Sequence, residues 1–215
     1  MVSLISTLRE HHPDGFGASF YQCYWDIISK DVYNAVVEFF TTGWLLPNYN
    51  ANSIILIPKS PHANTIDQYR PIALANSKCK IITKVLADRL ANILPNIIYI
   101  QQRGFVKGMN IRDCITLTSE AVNLLDKRSF GGNLALKIDV SIAFDTLNWV
   151  FFINVLQGFG FNETFCSWIK TILHSSHMSI SVNGSQQGYF KCNRGERQNG
   201  PLSPLLFLHS RRGFE

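Results

Sequence analysis

Leu136-Lys137-Ile138-Asp139-Val140-Ser141-Ile142-Ala143-Phe144-Asp145 reads as a strand that ends on a carboxylate. Leu134, Leu136, Ile138 and Val140 alternate with Ala135, Lys137 and Asp139, which predicts one strongly apolar strand face. A carboxylate at such a strand end, beside a free backbone carbonyl such as that of Val140, offers the hard oxygen ligands that Mg²⁺ prefers. The same pattern also describes an Asp that hydrogen-bonds its own turn, and periodicity alone favours that plainer reading. Asp145 is a good N-cap for a helix carrying Leu147, Val150, Phe151 and Val155, with Gly158 or Gly160 as its stop.

Outward from this stretch the chain alternates helices and short strands. Downstream, a helix is expected over 162–174. Met178 to Val182 and Gly188 to Cys192 then flank Asn183-Gly184, a hairpin signal with a loop longer than two residues. Ser203-Pro204 pairs an N-cap with a proline at the first helical position, so a last helix starts there. Upstream, Ile111 to about Lys127 forms a helix after a glycine-containing loop at 101–110. Another helix runs from Asn76–Ser77 to Leu94, where Pro95 ends it. Ser53 to Ile57 reads as a buried strand closed by Pro58, followed by a polar loop over 58–70. Tyr21, Trp25, Ile28, Val32, Val36 and Phe39 form one helical face that stops at Gly43. Before it, residues 13–17 form a turn-rich entry.

The chain has 215 residues, 46% of them hydrophobic, with 15 Phe, enough for one large domain or two small lobes. That composition excludes a disordered chain. A net charge of +5 is compatible with a polyanionic partner without requiring one. Five cysteines without a Cys-x-x-Cys pair, and no secretory segment, point to reduced thiols in a cytoplasmic or nuclear protein that is not secreted. No apolar run is long enough to span a bilayer. His174 and His177 are spaced as half a zinc site, but no cysteine pair stands at finger spacing beside them.

A second stretch, Arg197-Gln198-Asn199-Gly200-Pro201-Leu202-Ser203-Pro204, changes the weighing. Together with 136–145 it resembles the first and second palm motifs of a reverse transcriptase, of the plant-like non-LTR (LINE-type) retrotransposon kind. Ile57-Pro58-Lys59, Tyr69-Arg70-Pro71-Ile72-Ala73-Leu74, His12-Pro13-Asp14-Gly15-Phe16 and Gln102-Arg103-Gly104-Phe105-Val106-Lys107-Gly108 resemble further blocks, in the family's order, over residues 10 to 208. Group II intron maturases share the palm, but this combination leans towards a LINE. The resemblance implies an α/β (α+β) fold: the fingers and an incomplete palm of a right-hand polymerase, with the thumb absent. Residues 1–130 would be fingers-like, and 131–215 a partial palm with an inserted fingers hairpin.

The resemblance also implies site roles. Asp139 falls on the catalytic, metal-binding position, with the Val140 carbonyl beside it. Lys59 and Arg70 would grip the triphosphate, Lys as a point charge and Arg as a planar fork. Phe144 falls on the steric gate that crowds a ribose 2′-hydroxyl. Gln198 would lie against the incoming nucleotide and template base. The chain departs from the pattern at Ile142, usually Lys, at Asn199-Gly200, usually Gly-Asp, and at Met109, where a basic residue is common. Asn is the next best residue after Gly for a left-handed turn.

The family's third palm motif, an aromatic-x-Asp-Asp hairpin, does not occur in the sequence. Mg²⁺ binding is therefore expected to be weak or absent in this chain alone, unless a second chain supplies the rest of the palm. An unpaired strand edge beside Asp139 predicts marginal folding and aggregation. The basic tail from Phe207 reads as translation into another frame. Two functional expectations follow. One is a reverse transcriptase fragment, inactive alone, whose partners are an RNA template, a DNA primer and deoxynucleoside triphosphates, with no membrane involved. The other is a non-catalytic RNA-binding remnant or pseudogene product.

Overall fold

A computed structural model describes residues 15–98, 102, 104, 106, 108–136, 146–195, 200, 202 and 203. Residues 1–14, the Asp139–Asp145 motif, Gln198 and the helix expected after Ser203 lie outside them.

The long apolar face after Gly17 folds as two helices, α1 (Ala18–Cys23) and α2 (Trp25–Thr42), broken at Tyr24. Gly43 ends α2 as expected: it is left-handed, at φ +70°, and its N–H reaches the Phe39 carbonyl at 2.8 Å. Tyr21, Val36 and Phe39 are buried on the stripe that periodicity predicts.

That stripe packs against α3 (Ser77–Ile97), which buries Ile81, Ile82, Leu86, Leu90 and Leu94. Pro95 lies inside α3 rather than ending it. Its ring removes one N–H from the last turn, where the half-exposed Ala91 carbonyl can turn to water. The Ile98 N–H still closes onto the Leu94 carbonyl at 2.9 Å. The core continues through α5 (Trp149–Gly158) and α6 (Glu163–His174), which contribute Phe152, Leu156, Ile169, Ile172 and Leu173. The cap of α5 is Asn148, whose side chain accepts from the Phe151 N–H at 3.0 Å. This corrects the expectation of Asp145: a side-chain cap must stand two or three residues before the N–H it satisfies. Asn162 caps α6 in the same way, accepting from Phe165 at 2.8 Å.

Four strands form one sheet in the order β2-β1-β3-β4: β1 (Ala51–Pro58), β2 (Tyr69–Ala75), β3 (His177–Val182) and β4 (Ser185–Lys191). The β1/β2 and β3/β4 pairs are antiparallel and β1/β3 is parallel. The polar loop expected over 58–70 is shorter than it reads, because Tyr69 to Ala75 is strand. A proline such as Pro71 is tolerated on an edge strand, where its nitrogen owes no ladder bond. β1 is also less buried than expected: Asn52 and Ser53 are buried, whereas Ile57 is 44% exposed. The β3–β4 loop is two residues, Asn183-Gly184, with φ of 48° and 80°. This is the left-handed pair that a tight hairpin turn demands. The stretch read as extra loop, Ser185 to Gln187, is part of a wholly exposed β4, where polar residues suit an edge.

Helix α4 (Ile111–Leu124) stops short of Lys127 and buries none of its residues. The chain after it does not form the predicted strand at its start: Leu134 and Leu136 are 82% and 78% exposed in irregular backbone. Alternating apolar residues make a strand only when a neighbour takes up its backbone groups, and among the described residues none pairs there. Among the described residues, no helix is long and apolar enough to cross a membrane.

Candidate functional site

The sheet register decides what Lys59 and Arg70 have in common. Ile57 stands opposite Arg70 and Pro58 opposite Tyr69. The Lys59 N–H extends the ladder by donating to the Gln68 carbonyl at 2.8 Å. Side chains alternate along a strand, so Ile57, Lys59 and Arg70 share one face of the hairpin end. Both cations are exposed.

The tip between them is built from its own polar groups. A 3₁₀ turn spans Ile66–Gln68. Gln68 accepts the Asn64 N–H at 2.7 Å, and the Tyr69 hydroxyl donates to the Ala63 carbonyl at 3.2 Å. Lys59 Nζ donates to the Asp67 carbonyl at 2.6 Å. The Thr65 hydroxyl, then the Asp67 backbone N–H and more distantly the Lys59 charge, hold the Asp67 carboxyl below its ordinary value. Arg70 forms no ion pair among the described residues, so its fork is open to an anion.

A second structural feature lies beside the two motif-bearing stretches. The Gly195 N–H donates to the Leu147 carbonyl at 2.8 Å, and Trp149 Nε1 donates to the Gly195 carbonyl at 2.7 Å. Gly195 is buried. Leu202, on the other side of Gln198, is buried in the same core as Leu147 and Trp149, with Ser203 buried beside it. Leu147, two residues after Asp145, is thereby tied to Gly195, three residues before Gln198. Nothing in the periodicity pointed to Trp149 or Gly195 as a pair.

The base of the sheet rests on Asn50, which is 1% exposed. Its Nδ2 donates to the Ile172 carbonyl at 2.7 Å and to Ser175 Oγ at 2.9 Å, while Cys79 Sγ lies 3.3 Å from its Oδ1. The His177 N–H reaches the Asn50 carbonyl at 3.2 Å. One side chain thus joins β1, α3 and α6. His174 packs edge-on to Trp149 at 4.9 Å, and the His177 ring stacks on Tyr189 at 4.9 Å, so each ring is engaged with an aromatic neighbour. Burial, then the charges of Lys191 and Lys170, hold His174 below the usual imidazole range. Burial pushes the Cys166 thiol up. Asp139, Val140, Phe144 and Gln198 lie outside the described residues, and no group of three His, Cys, Asp or Glu able to hold a metal occurs among the described ones.

The family described as reverse transcriptase (RNA-dependent DNA polymerase) matches residues 57–210. Among relatives, the "Transposon TX1 uncharacterized 149 kDa protein" of Xenopus laevis is 30% identical over 195 residues, covering 90% of this chain and 15% of the relative. The "Retrovirus-related Pol polyprotein from type-2 retrotransposable element R2DM" of Drosophila melanogaster is 27% identical over 156 residues, 71% of this chain and 14% of the relative. The corresponding type-1 R2 polyprotein of Popillia japonica is 27% identical over 162 residues, 74% of this chain and 22% of the relative. The chain therefore spans between 14% and 22% of the length of these relatives.

Proposed function

Since the chain belongs to the reverse transcriptase (RNA-dependent DNA polymerase) family, we propose that it supplies the nucleotide-gripping fingers and part of the catalytic palm of a retrotransposon polymerase. Enzymes of this family join a primer 3′-hydroxyl to a nucleoside triphosphate and use divalent metal ions. The observation that carries the reading is the pair of bonds at Gly195, which donates its N–H to the Leu147 carbonyl and accepts at its carbonyl from Trp149 Nε1. They join Gly195, three residues before Gln198, to Leu147, two residues after Asp145, which supports a site shared by both motifs.

In this reading Lys59 and Arg70 draw the triphosphate onto the hairpin end, the Arg fork fixing its orientation and the Lys adding charge. Phe144 crowds a 2′-hydroxyl and so selects deoxynucleotides. Gln198 and the Asn199-Gly200 turn approach the nascent base pair. Asp139 and the Val140 carbonyl would hold Mg²⁺, which when bound supplies charge to activate the hydroxyl and neutralise phosphate. One carboxylate and one carbonyl make only half of such a donor set. The chain alone is therefore inactive, and further carboxylates come from another stretch of a longer polyprotein or from a second chain. Residues 1–130 then act as fingers and 131–215 as partial palm.

Primer extension on an RNA template with Mg²⁺ and deoxynucleotides tests this. The chain by itself should extend nothing. A longer protein that joins it to the downstream part of a relative should extend, and Asp139→Asn should abolish that activity. Extension by the isolated chain would overturn its dependence on further carboxylates. Full activity of Asp139→Asn would overturn the assignment of Asp139.

A further inference from the structure

A cavity of about 330 Å³ opens between α6 and the β3–β4 hairpin, away from the Lys59–Arg70 tip. Trp149, Met178 and Phe190 give it flat, polarisable walls, and Lys191, Arg194 and Gly195 complete its rim. Among the described residues, no carboxylate lines it. Lys191 and Arg194 are exposed, and neither forms an ion pair among the described residues. Burial first, then the charges of Lys191 and Lys170, disfavour protonation of His174, which packs on Trp149 at this edge.

Exposed cations over an aromatic and thioether wall match a ligand that is anionic at one end and flat at the other. Single-strand nucleic-acid sites combine these two elements, a basic track for the backbone and rings on which bases stack. The volume is at the small end of ligand pockets, too small for a duplex and suited to one nucleotide unit. An acidic peptide would use the cations but leave the ring wall without a partner. We infer that this cavity holds one nucleotide of a single-stranded RNA, its base against Phe190 and its phosphate on Lys191 and Arg194. Gly195 precedes Gln198 by three residues, at most about 10 Å of chain. The bound nucleotide therefore belongs to the stretch of template flanking the copied base. This assignment rests on the reverse transcriptase reading.

Fluorescence anisotropy with the whole chain and a labelled oligouridine RNA tests it, with salt varied. The variants are Lys191→Ala/Arg194→Ala and Phe190→Ala, all at exposed positions, with circular dichroism reporting the fold. The double variant should bind more weakly, with a log–log salt slope shallower by about 0.7, the value for one lost phosphate contact on a single strand. Phe190→Ala should weaken binding about fivefold or more and leave the slope unchanged, as loss of one stacked base does. A parallel titration with dATP separates the two sources of a nucleotide: it should leave the RNA bound. Unchanged RNA affinity in both variants, no RNA binding by the unmodified chain, or displacement of RNA by dATP at equal occupancy would each overturn the assignment. Weakened RNA binding in these variants, together with no extension by the completed polymerase, would sink the polymerase reading and leave the RNA site standing.

Discussion

Replacing Asn50 by Ala should unfasten the sheet from the helices. The side chain is 1% exposed and makes two donor bonds, at 2.7 Å to the Ile172 carbonyl and at 2.9 Å to Ser175 Oγ. Each contributes about 1 kcal/mol net. Cys79, itself buried, loses the Oδ1 partner 3.3 Å away. Deleting the amide also leaves a small void, costing about 1 kcal/mol more. The Ile172 carbonyl keeps the Ser175 hydroxyl, at 3.2 Å, which limits its penalty. The sum is about 2–4 kcal/mol, a large part of the stability of a domain this size. Urea denaturation of the variant beside the parent should show a lower midpoint and an unchanged slope. Asn50→Asp provides the control. It keeps the shape but turns a donor towards the Ile172 carbonyl into an acceptor, so it should destabilise more near pH 7 than at about pH 4, where the carboxyl is protonated. A loss of less than about 0.5 kcal/mol for Asn50→Ala would refute the reasoning, since that is the scatter of ordinary surface substitutions.

Trp149→Phe removes the 2.7 Å bond to the Gly195 carbonyl while retaining an aromatic ring. It should cost about 1–3 kcal/mol, and hydrogen exchange at Gly195 should quicken; an unchanged exchange rate would show that the Leu147 bond suffices. His174 is held below its ordinary value in the folded chain, first by burial and then by Lys191 and Lys170. The folded state thus favours neutral imidazole. Its contribution to stability is present above the unfolded value of about 6.5 and is lost as pH falls through the lower folded one, a small effect for so exposed a ring. Lys191→Ala should move the His174 titration upward in an NMR pH series, and an unmoved titration would show that the Lys191 charge does not reach the ring.

Much of the helical framework was legible because helix periodicity is local. The stripe from Tyr21 to Phe39, the apolar face of α3, the span of α6 and the stop at Gly43 all follow from spacing and glycine freedom. The errors have local causes too. Tyr69-Arg70 and the polar run Ser185–Gln187 read as loop, yet both belong to edge strands, where polar residues are tolerated. Leu134 and Leu136 alternate as strand residues should, but alternation states only what a strand would bury if a partner were there. Asp145 and Asn148 are both competent caps by type, and only the N–H that needs an acceptor, that of Phe151, distinguishes them.

For the site the division is sharper. The sequence by itself determined the family, through ordered blocks from Ile57 to Pro204, and with it the positions proposed for the chemistry: Lys59, Arg70, Asp139, Val140, Phe144 and Gln198. Tertiary structure alone decided that Lys59 and Arg70 share a face, because that depends on the register of β1 against β2. It alone tied Gly195 to Trp149, 46 residues earlier, and Asn50 to Ile172, 122 residues later. Hydrogen bonds over such separations leave no period in the sequence. They exist because packed helices and the sheet bring a buried donor to a carbonyl within reach, where leaving either unpaired would cost more than the bond itself contributes.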